Sequence, residues 1–382
     1  MKKKKFLILI NDLSFFISHR LPIAEDLLKK GFDVVIGYGE LGRGNPKLLE
    51  QIGFKVSFVP ISRGSINILK DLKSLFYIWS FFKKEAPDIC HLVTIKPYLY
   101  GGIISRLLDV PCLVSAVSGL GTIFISKDFK SKFLRLLLYP IFKLAFNHSN
   151  QKIILHNKED EDLLVRWGVL NPANVEIIKG SGVKIEKFKK IDEPSGMPVV
   201  CFAGRLIRDK GVNEFIDAAR MLVNQGIQAK FCIAGDLDLN NPTGLKIENL
   251  KKIKEEGIVE ILGYQKDIPA LFAKSHIVCL PSYREGLPKS LIEAAAASRV
   301  TVTTDVPGCR DAIIPNKTGL LVPVKDSKKL ADALKWLIES PNNRIEMGKA
   351  GRQYAKKEFA IEKIVQNHLD IYQDLLNKFS IK

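Results

Sequence analysis

The segment Glu285–Glu293, with the sequence EGLPKSLIE, passes from a loop into a helix. Pro288 is typical of the first position of a helix, and the residues after it are good helix formers. Glu285 therefore lies at or before the helix start, whereas Glu293 lies inside the helix. At about 1.5 Å of rise per residue the two carboxylates are roughly 12 Å apart, which is too far to share a proton or a metal ion. We predict that they bind two different parts of one long ligand.

The helix that begins between the two glutamates offers a site for an anion. Its first backbone N–H groups have no partner within the helix, and the helix dipole places positive charge at that end. A phosphate or a polarised sugar oxygen suits this position. A nucleotide-sugar fits the whole segment, with the hexose at one end, the ribose at the other and the diphosphate between them.

Outward from this segment, short apolar runs alternate with helical patterns along the whole chain. This alternation is typical of parallel sheets covered by helices on both faces. The polar stretch Lys184–Pro198 interrupts the series and resembles a linker. The sequence therefore predicts an α/β protein of two doubly wound, Rossmann-like domains that face each other across a cleft, with the ligand at the carboxyl ends of the strands. The predicted strands are Lys5–Ile10, Phe32–Ile36, Lys55–Val59, Ile89–Val93, Cys112–Ala116, Lys152–Leu155 and Val175–Ile178, then Pro198–Ala203, Ala229–Ala234, Val259–Leu262, Ile277–Leu280, Val300–Thr304 and Gly319–Val322.

Composition narrows the class of protein. The chain has 382 residues, 46% of them hydrophobic, which is enough for the cores of two ordinary domains. The apolar run Phe6–Ile10 is too short for a signal peptide, and the run Phe133–Phe146 is interrupted by charged residues and a proline, so no transmembrane helix is predicted. The six cysteines lack metal-binding spacing, and we predict that they are reduced core residues of a cytoplasmic protein.

The formal net charge of +17 is concentrated in the first part of the chain, where residues 1–150 hold 22 Lys and Arg against 11 Asp and Glu. Within it, Lys127–Lys143 interleaves basic with large apolar residues, and Ile66–Lys84 does the same. Such segments are typical of helices that lie on an anionic membrane surface. A core helix with a solvated basic face explains Lys127–Lys143 equally well. No nucleic-acid-binding module is recognised, so nucleic acid is not an expected partner.

Two basic residues follow the first strand of the predicted second domain. The chain reads Gly204-Arg205 at the end of that strand and Lys210-Gly211 at the start of a helix. Arg205 and Lys210 can converge on a diphosphate, the first as a fork of donors and the second as a point charge. Ordinary basic residues of a surface loop are the alternative, which the two-glutamate segment makes less favourable.

Other loops carry weaker signals. Gly180–Val183 follows the last strand of the first domain and is as consistent with a hinge as with a binding loop. Ser118 and Gly119 follow the fifth strand. Tyr264 follows a strand of the second domain, where a base pocket and a plain turn are equally consistent with the sequence.

One pattern resembles a metal site. Asp236 and Asp238 form a D-x-D pair, but this spacing arises often by chance, and Arg205 and Lys210 already supply positive charge nearby. We expect no catalytic metal. The six histidines show no metal-ligand spacing; His276 is interpreted as structural, and His19 either faces the cleft or has no catalytic role.

Taken together, Gly204-Arg205 with Lys210, Gly180–Val183 and the two glutamates eight residues apart resemble the retaining glycosyltransferases of family 4, which have the GT-B fold. The resemblance covers essentially the whole chain. It implies metal-independent transfer from a nucleotide-sugar and a last helix that crosses back to the first domain. The implied domains are an acceptor-binding one of residues 1–190 with the helix 360–382, and a donor-binding one of residues 191–359.

Three further features resemble a bacterial subgroup that acts on polyprenyl-diphosphate-linked sugars. They are His19, Lys96 and the run Gly119-Leu120-Gly121. Two departures concern the acceptor side: Asn11–Ser14 lacks the paired glycines that many members have after the first strand, and the fifth strand is not followed by the histidine often found there.

The resemblance also implies roles for particular residues. Glu293 would bind the ribose, Glu285 the hydroxyls of the donor sugar, and Arg205 with Lys210 the diphosphate, so that Arg205, Lys210 and Glu285 are the expected catalytic residues. Further donor-side residues are Gly204, Tyr264, Gly286, Leu287 and Pro288, and the acceptor-side candidates are His19, Lys96, Ser118 and Gly119.

The expected activity is transfer of a hexose or N-acetylhexosamine from a UDP-sugar to a lipid-diphosphate-linked saccharide. The expected location is the inner face of the cell membrane, as a peripheral protein of the cytoplasm, and no cofactor is expected. Two alternatives remain open: a UDP-sugar epimerase of the same fold and a non-catalytic membrane-bound scaffold.

Overall fold

The computed structural model describes residues 3–61, 67–120, 124, 129–189, 192–238, 241 and 243–380. The chain divides into two compact units, the first formed by Met1–Ser181 with Glu362–Lys382 and the second by Gly182–Ile361. The division at Ser181 precedes the boundary expected at residue 190, because Val183 and Phe188 pack into the core of the second unit. The Val183 N–H also donates to the carbonyl oxygen of Phe359 at 2.8 Å.

The first unit is built on a seven-stranded parallel sheet. Its strands are β1 (Lys5–Asp12), β2 (Asp33–Glu40), β3 (Lys55–Phe58), β4 (Ile89–Val93), β5 (Cys112–Ala116), β6 (Gln151–Leu155) and β7 (Val175–Ile177). They lie in the order β3-β2-β1-β4-β5-β6-β7. The central strands are buried on both faces, as expected for a parallel sheet between two layers of helices.

Helices cover both faces of this sheet. They are α1 (Leu13–His19), α2 (Leu21–Lys29), α3 (Pro46–Ile52), α4 (Ile68–Glu85), α5 (Gly102–Leu107), α6 (Phe129–Ala145) and α7 (Lys158–Arg166), and a π-helical turn, Pro97–Gly101, leads into α5. One core includes Ile8, Ile36 and the apolar side of the last helix of the chain, α14 (Ile361–Ser380). The other core lies under α4 and α6.

The second unit repeats the design with a six-stranded parallel sheet. Its strands are β8 (Val199–Ala203), β9 (Lys230–Ala234), β10 (Val259–Gly263), β11 (Ile277–Leu280), β12 (Val300–Thr304) and β13 (Gly319–Val322), in the order β10-β9-β8-β11-β12-β13. Its helices are α8 (Val212–Asn224), α9 (Ile247–Glu256), α10 (Ile268–Ala273), α11 (Lys289–Ala296), α12 (Ser327–Glu339) and α13 (Pro341–Glu358). Their apolar faces form one core with the sheet.

The two Rossmann-like sheets predicted from the sequence are confirmed, and each predicted strand is present. The largest difference is β2, which continues to Glu40 rather than ending near Ile36. Its extra residues pair with β1, for example Tyr38 with Ile10. All six cysteines are free and buried, as predicted. In the described part of the chain, no helix combines the length and the apolar character needed to cross a membrane.

Candidate functional site

The strand order reverses direction between β8 and β11 in the second unit. The chain leaves β8 toward β9 on one side, and the later strands are added on the other side from β11 onward. The loops at the carboxyl ends of two such strands diverge and leave a crevice, which is the usual ligand site of open parallel sheets. Gly204 and Arg205 follow β8, and Pro281 to Pro288 follow β11. The two sequence segments singled out above therefore meet at this crevice.

Lys210 and Glu285 are in direct contact at this point. The Lys210 Nζ forms an ion pair with Glu285 Oε1, and the Ser282 hydroxyl donates to the same oxygen at 2.7 Å. The side chain of Lys210 is 22% exposed and that of Glu285 is 11% exposed. Because both contacts fall on Oε1, the second oxygen of Glu285 remains available to accept hydrogen bonds from a ligand. The contact thus places an ammonium group, which can bind a phosphate, next to a carboxylate, which can accept hydrogen bonds from hydroxyl groups.

Two glycines allow the loops around this pair to approach closely. Gly211, at the start of α8, has a φ of +73°, and a Cβ there would lie 2.1 Å from the carbonyl oxygen of Pro281. Gly308, with a φ of +76°, lies against the backbone of Glu285 and Gly286, so that a Cβ would be 2.6 and 2.3 Å from their carbonyl oxygens. Any side chain at either position would displace the loop that carries Glu285.

Arg205 makes an ion pair with Asp238. The Arg205 Nη1 donates to Asp238 Oδ2 at 2.6 Å, and the two side chains are 43% and 24% exposed. Asp238 is one member of the D-x-D pair, so this aspartate is bound to a guanidinium rather than arranged with other ligands around a metal ion. Among the described residues, no group of three or more His, Cys, Asp and Glu side chains is arranged to hold a metal.

The second glutamate of the opening segment lies in α11. Glu293 is partly buried, and Lys289 Nζ lies 3.6 Å from its Oε1. Burial raises the pKa of the Glu293 carboxyl, while Lys289 opposes the shift. The sequence predicted Pro288 as the first residue of the helix. Pro288 is instead the N-cap of α11, with an extended ψ of 121°. Tyr264, the candidate for a base pocket, is half exposed at the carboxyl end of β10.

Sequence reasoning missed Ser282, Tyr283 and Glu214. Tyr283 and Glu214 join the loop after β11 to the first turn of α8, and Ser282 fixes an oxygen of Glu285. The one signal for them in the sequence was position, since Ser282 and Tyr283 directly follow a strand next to the point of strand reversal. His276, interpreted as structural, is buried between the backbone of Val199 and Pro194.

The acceptor-side candidates all lie in the first unit. His19 ends α1, with its Nδ1 2.6 Å from the Ser18 hydroxyl and its ring stacked on Phe15 at 3.9 Å between centroids. Lys96 is mostly buried, and its Nζ contacts Asp71 Oδ1 at 2.7 Å.

Ser118 and Gly119 follow β5, and Gly119 has a φ of +145°. Gly121 and Lys127 lie outside the described residues. The candidates of the first unit thus follow the carboxyl ends of β1, β4 and β5, which are neighbouring strands.

Two family models match this chain, and together they span most of it. Residues 183–354 match "Glycosyl transferases group 1", and residues 5–157 match "Glycosyl transferase 4-like". The first match contains Arg205, Lys210, Glu285 and Glu293. These two matches show that the chain is a glycosyltransferase. The chain belongs to family 4 of these enzymes, the family with the GT-B fold.

Curated relatives extend over nearly the same length. The chain is 29% identical over 341 residues to the N,N'-diacetylbacillosaminyl-diphospho-undecaprenol alpha-1,3-N-acetylgalactosaminyltransferase of Campylobacter jejuni, a match that covers 86% of this chain and 88% of the relative. It is 27% identical over 333 residues to the UDP-Gal:alpha-D-GlcNAc-diphosphoundecaprenol alpha-1,3-galactosyltransferase of Escherichia coli, with 84% of each chain covered.

A solved structure supports the same fold. HepE of Anabaena, crystallised with UDP and glucose, superimposes with a TM-score of 0.76 at 19% sequence identity, covering 97% of this chain and 99% of HepE. This likeness establishes the two-domain architecture of the GT-B fold.

Proposed function

We propose that this protein transfers a hexose or an N-acetylhexosamine from a UDP-sugar to a polyprenyl-diphosphate-linked saccharide, with retention of configuration. The observation that carries the proposal is the contact between Lys210 and Glu285 at the strand reversal of the second unit. Both relatives named above are transferases that act on undecaprenol-diphosphate-linked sugars. The product would enter the assembly of a bacterial surface polysaccharide or glycoprotein glycan.

The donor would extend along the loop after β11. Arg205 and Lys210 would bind the diphosphate, and the free Oε2 of Glu285 would accept hydrogen bonds from hydroxyls of the sugar. Glu293, further along α11, would bind the ribose. Because Lys210 contacts Glu285, each side chain holds the other in position. The glycosidic bond to be broken would then lie between the diphosphate at Lys210 and the sugar at Glu285.

The chemistry follows from where charge develops. As the glycosidic bond breaks, negative charge grows on the leaving UDP, and Arg205 and Lys210 stabilise it more strongly in the transition state than in the ground state. Glu285 is a poor nucleophile because an ammonium group and a hydroxyl both act on its Oε1. A double displacement by two carboxylates about 5 Å apart is therefore disfavoured. The acceptor hydroxyl would attack from the face that the diphosphate leaves, and the phosphate would take its proton.

We also propose that the first unit binds an anionic membrane. On α6 the exposed apolar side chains Phe129, Phe133, Leu136 and Leu137 recur at one-turn spacing, between 53% and 82% exposed. Lys132 and Arg135 lie among them, and Lys143 follows in the last turn of the helix. On α4 the side chains of Ile68, Leu69, Leu72 and Phe76 are 58–80% exposed. Both helices pack against α5, so they belong to the same side of the sheet. Apolar side chains flanked by cations are the chemistry that an anionic bilayer surface binds.

A transfer assay tests the proposed activity. The purified protein is incubated with a panel of UDP-sugars and a polyprenyl-diphosphate-linked monosaccharide, and the masses of the lipid products are determined by mass spectrometry. We expect one donor to add a single sugar, with equal yield in the presence of EDTA, because no metal is needed where Arg205 and Lys210 neutralise the diphosphate. Loss of transfer in EDTA would contradict the metal-independent mechanism.

The same assay without acceptor tests the alternatives. An epimerase would convert its UDP-sugar in the absence of any acceptor, whereas a transferase needs the lipid-linked sugar. A scaffold without activity would be expected to show neither reaction and no thermal stabilisation by any nucleotide-sugar. The curated relatives, which are transferases, do not favour either alternative.

A further inference from the structure

Five buried polar side chains form a cluster between α14 and the first sheet, separate from the donor site. They are Arg20, His91, His156, His368 and Tyr372, and none is more than 5% exposed. Arg20 lies between α1 and α2, His91 in β4 and His156 directly after β6, while His368 and Tyr372 come from α14. The ring centroids of His91 and His368 are 5.8 Å apart, and those of His91 and Tyr372 are 5.7 Å apart, so the side chains converge.

Arg20 brings a positive charge into this cluster without a carboxylate. Burial lowers the pKa of its guanidinium to about 10, so the group stays protonated at neutral pH. Tyr372 acts in the opposite direction and raises this pKa. Burial and the charge of Arg20 hold the pKa values of His91, His156 and His368 below their usual range, so these rings are neutral. The cluster therefore carries one net positive charge. Removing an unpaired ion from water costs several kcal/mol, and buried charges in proteins are nearly always paired.

The hydrogen-bond inventory points the same way. Arg20 Nη1 donates to the His19 carbonyl oxygen at 3.2 Å, but its Nε and Nη2 have no acceptor among the described residues. His368 Nδ1 donates to the Ile364 carbonyl oxygen at 2.8 Å, and the Tyr372 hydroxyl is bound to His91 Nδ1 at 2.6 Å. The described groups around Arg20 thus offer it too few acceptors. Water would complete the hydrogen bonds of Arg20 but leave its positive charge unpaired. An anion would accept the same hydrogen bonds and also neutralise the charge.

We propose that Arg20 and the side chains around it bind a small monovalent anion such as chloride, which links α14 to the first sheet. The anion would accept hydrogen bonds from Nε and Nη2 of Arg20. The site is independent of the donor chemistry, because it uses none of the residues at the ends of β8 and β11. It would make docking of α14 depend on the anion.

Thermal unfolding in matched salts tests the site. When sodium gluconate is replaced by sodium chloride at constant sodium concentration, we expect the melting temperature to rise. The rise should be about 2–4 °C at a chloride concentration roughly tenfold above Kd. Arg20→Gln should abolish this rise. Arg106→Gln, which changes an exposed arginine on α5 of the same unit, should retain it. Equal melting temperatures of the wild type in both salts would overturn the proposal.

Arg20→Gln is a buried change and could prevent folding, so a second measurement uses the wild-type protein. Crystals grown in sodium bromide are expected to give an anomalous peak within hydrogen-bonding distance of Arg20. Ordered water at that position without anomalous signal would overturn the proposal. Neither measurement depends on catalytic activity, so both remain valid if the proposed transfer reaction is wrong.

Discussion

Tyr283 and Glu214 connect the loop that carries Glu285 to the first turn of α8, the helix that follows the loop of Lys210. The Tyr283 hydroxyl donates to Glu214 Oε1 at 2.6 Å, and the Tyr283 N–H donates to the carbonyl oxygen of Asp209, the residue before Lys210, at 2.8 Å. Lys325 Nζ lies 5.1 Å from the centre of the tyrosine ring. These contacts hold the loop of Glu285 against the loop of Lys210, which makes Tyr283 a positioning residue for the proposed reaction.

We expect Tyr283→Phe to lower kcat by about tenfold with a smaller change in the donor KM, because the phenyl ring keeps its packing but loses the bond to Glu214, worth about 1.5 kcal/mol to a charged acceptor. Steady-state kinetics measure the change. Glu214→Gln, which keeps an acceptor oxygen at the same position, should have a weaker effect. If Tyr283→Phe lowers only the melting temperature, the contact is merely structural.

Arg205 and Lys210 are the two cations expected to stabilise the leaving diphosphate. Arg205→Ala or Lys210→Ala should lower kcat by about 100- to 1000-fold, the usual effect of removing one preorganised donor from a transition state. Circular dichroism should report an intact fold. Lys252→Ala, an exposed change on α9 of the same unit, serves as control and should leave kcat unchanged. Wild-type turnover in both site variants would rule out the assignment.

Asp238 competes with the donor diphosphate for Arg205. Because the pair is partly exposed, it contributes at most about 1 kcal/mol, so Asp238→Asn should strengthen UDP binding by no more than about fivefold. Isothermal titration calorimetry measures the difference. Asp217→Asn removes a comparable contact, with Arg220 on α8, and should leave UDP affinity unchanged. Weaker UDP binding by Asp238→Asn would indicate instead that Asp238 orients Arg205 for the phosphate.

The face formed by α4 and α6 should bind anionic vesicles in a salt-dependent manner. Replacing Leu136 with Ser and Lys132 with Ala in one variant should weaken cosedimentation with phosphatidylglycerol vesicles by about tenfold or more, since each basic residue near such a surface contributes about 1 kcal/mol. The matched variant carries Ile247→Ser and Lys251→Ala on exposed positions of α9. Equal loss of binding in the two variants would show that charge alone, without a defined face, drives association.

The first unit should lose stability in mild acid. Its buried histidines have lowered pKa values, about 4 for His156 and about 3 for His368, because burial and the charge of Arg20 disfavour protonation. The unfolded chain takes up protons near pH 6.5 and the folded chain does not, so the stabilisation is complete above pH 6.5 and is lost progressively toward pH 3. Urea unfolding across this range measures the slope.

His368→Gln tests the source of that slope. If the variant folds, the slope should be reduced, because glutamine has no proton to gain. Gln366→Ala, on the exposed face of the same helix, should keep the wild-type slope. An unchanged slope in His368→Gln would assign the acid sensitivity to other groups.

Strand positions could be predicted from the sequence because a buried parallel strand is a short apolar run between turn residues. Ile277–Leu280 and Val300–Thr304 were predicted with the bounds that the structure has. The end of β2 was not, since Gly37 and Gly39 suggest a turn. A Cβ at Gly39 would lie 2.2 Å from the carbonyl oxygen of Ile61, so the glycine serves close packing of a loop on a continuing strand.

The candidate site could be predicted only in part. The spacing of Glu285 and Glu293 predicts a long ligand, which stays a prediction, whereas the family predicted from the order of the motifs is confirmed. The contact of Lys210 with Glu285 joins residues 75 positions apart, and it depends on β8 and β11 being neighbours in the sheet. The same is true of Arg205 with Asp238, an ion pair that the sequence did not predict. Such contacts follow from strand order, which periodicity alone does not fix.

The last helix has a consequence for how the protein is made. The first unit needs α14 to cover the apolar face of its sheet, yet residues 362–380 are synthesised after the entire second unit. During translation the first 181 residues therefore emerge without the cover that α14 gives to part of this face, while residues 182–361 form a contiguous unit that can complete its core before α14 is made. The unit that begins the chain is thus the last to complete its core, and until then the apolar area that α14 will cover is open to contact with other chains.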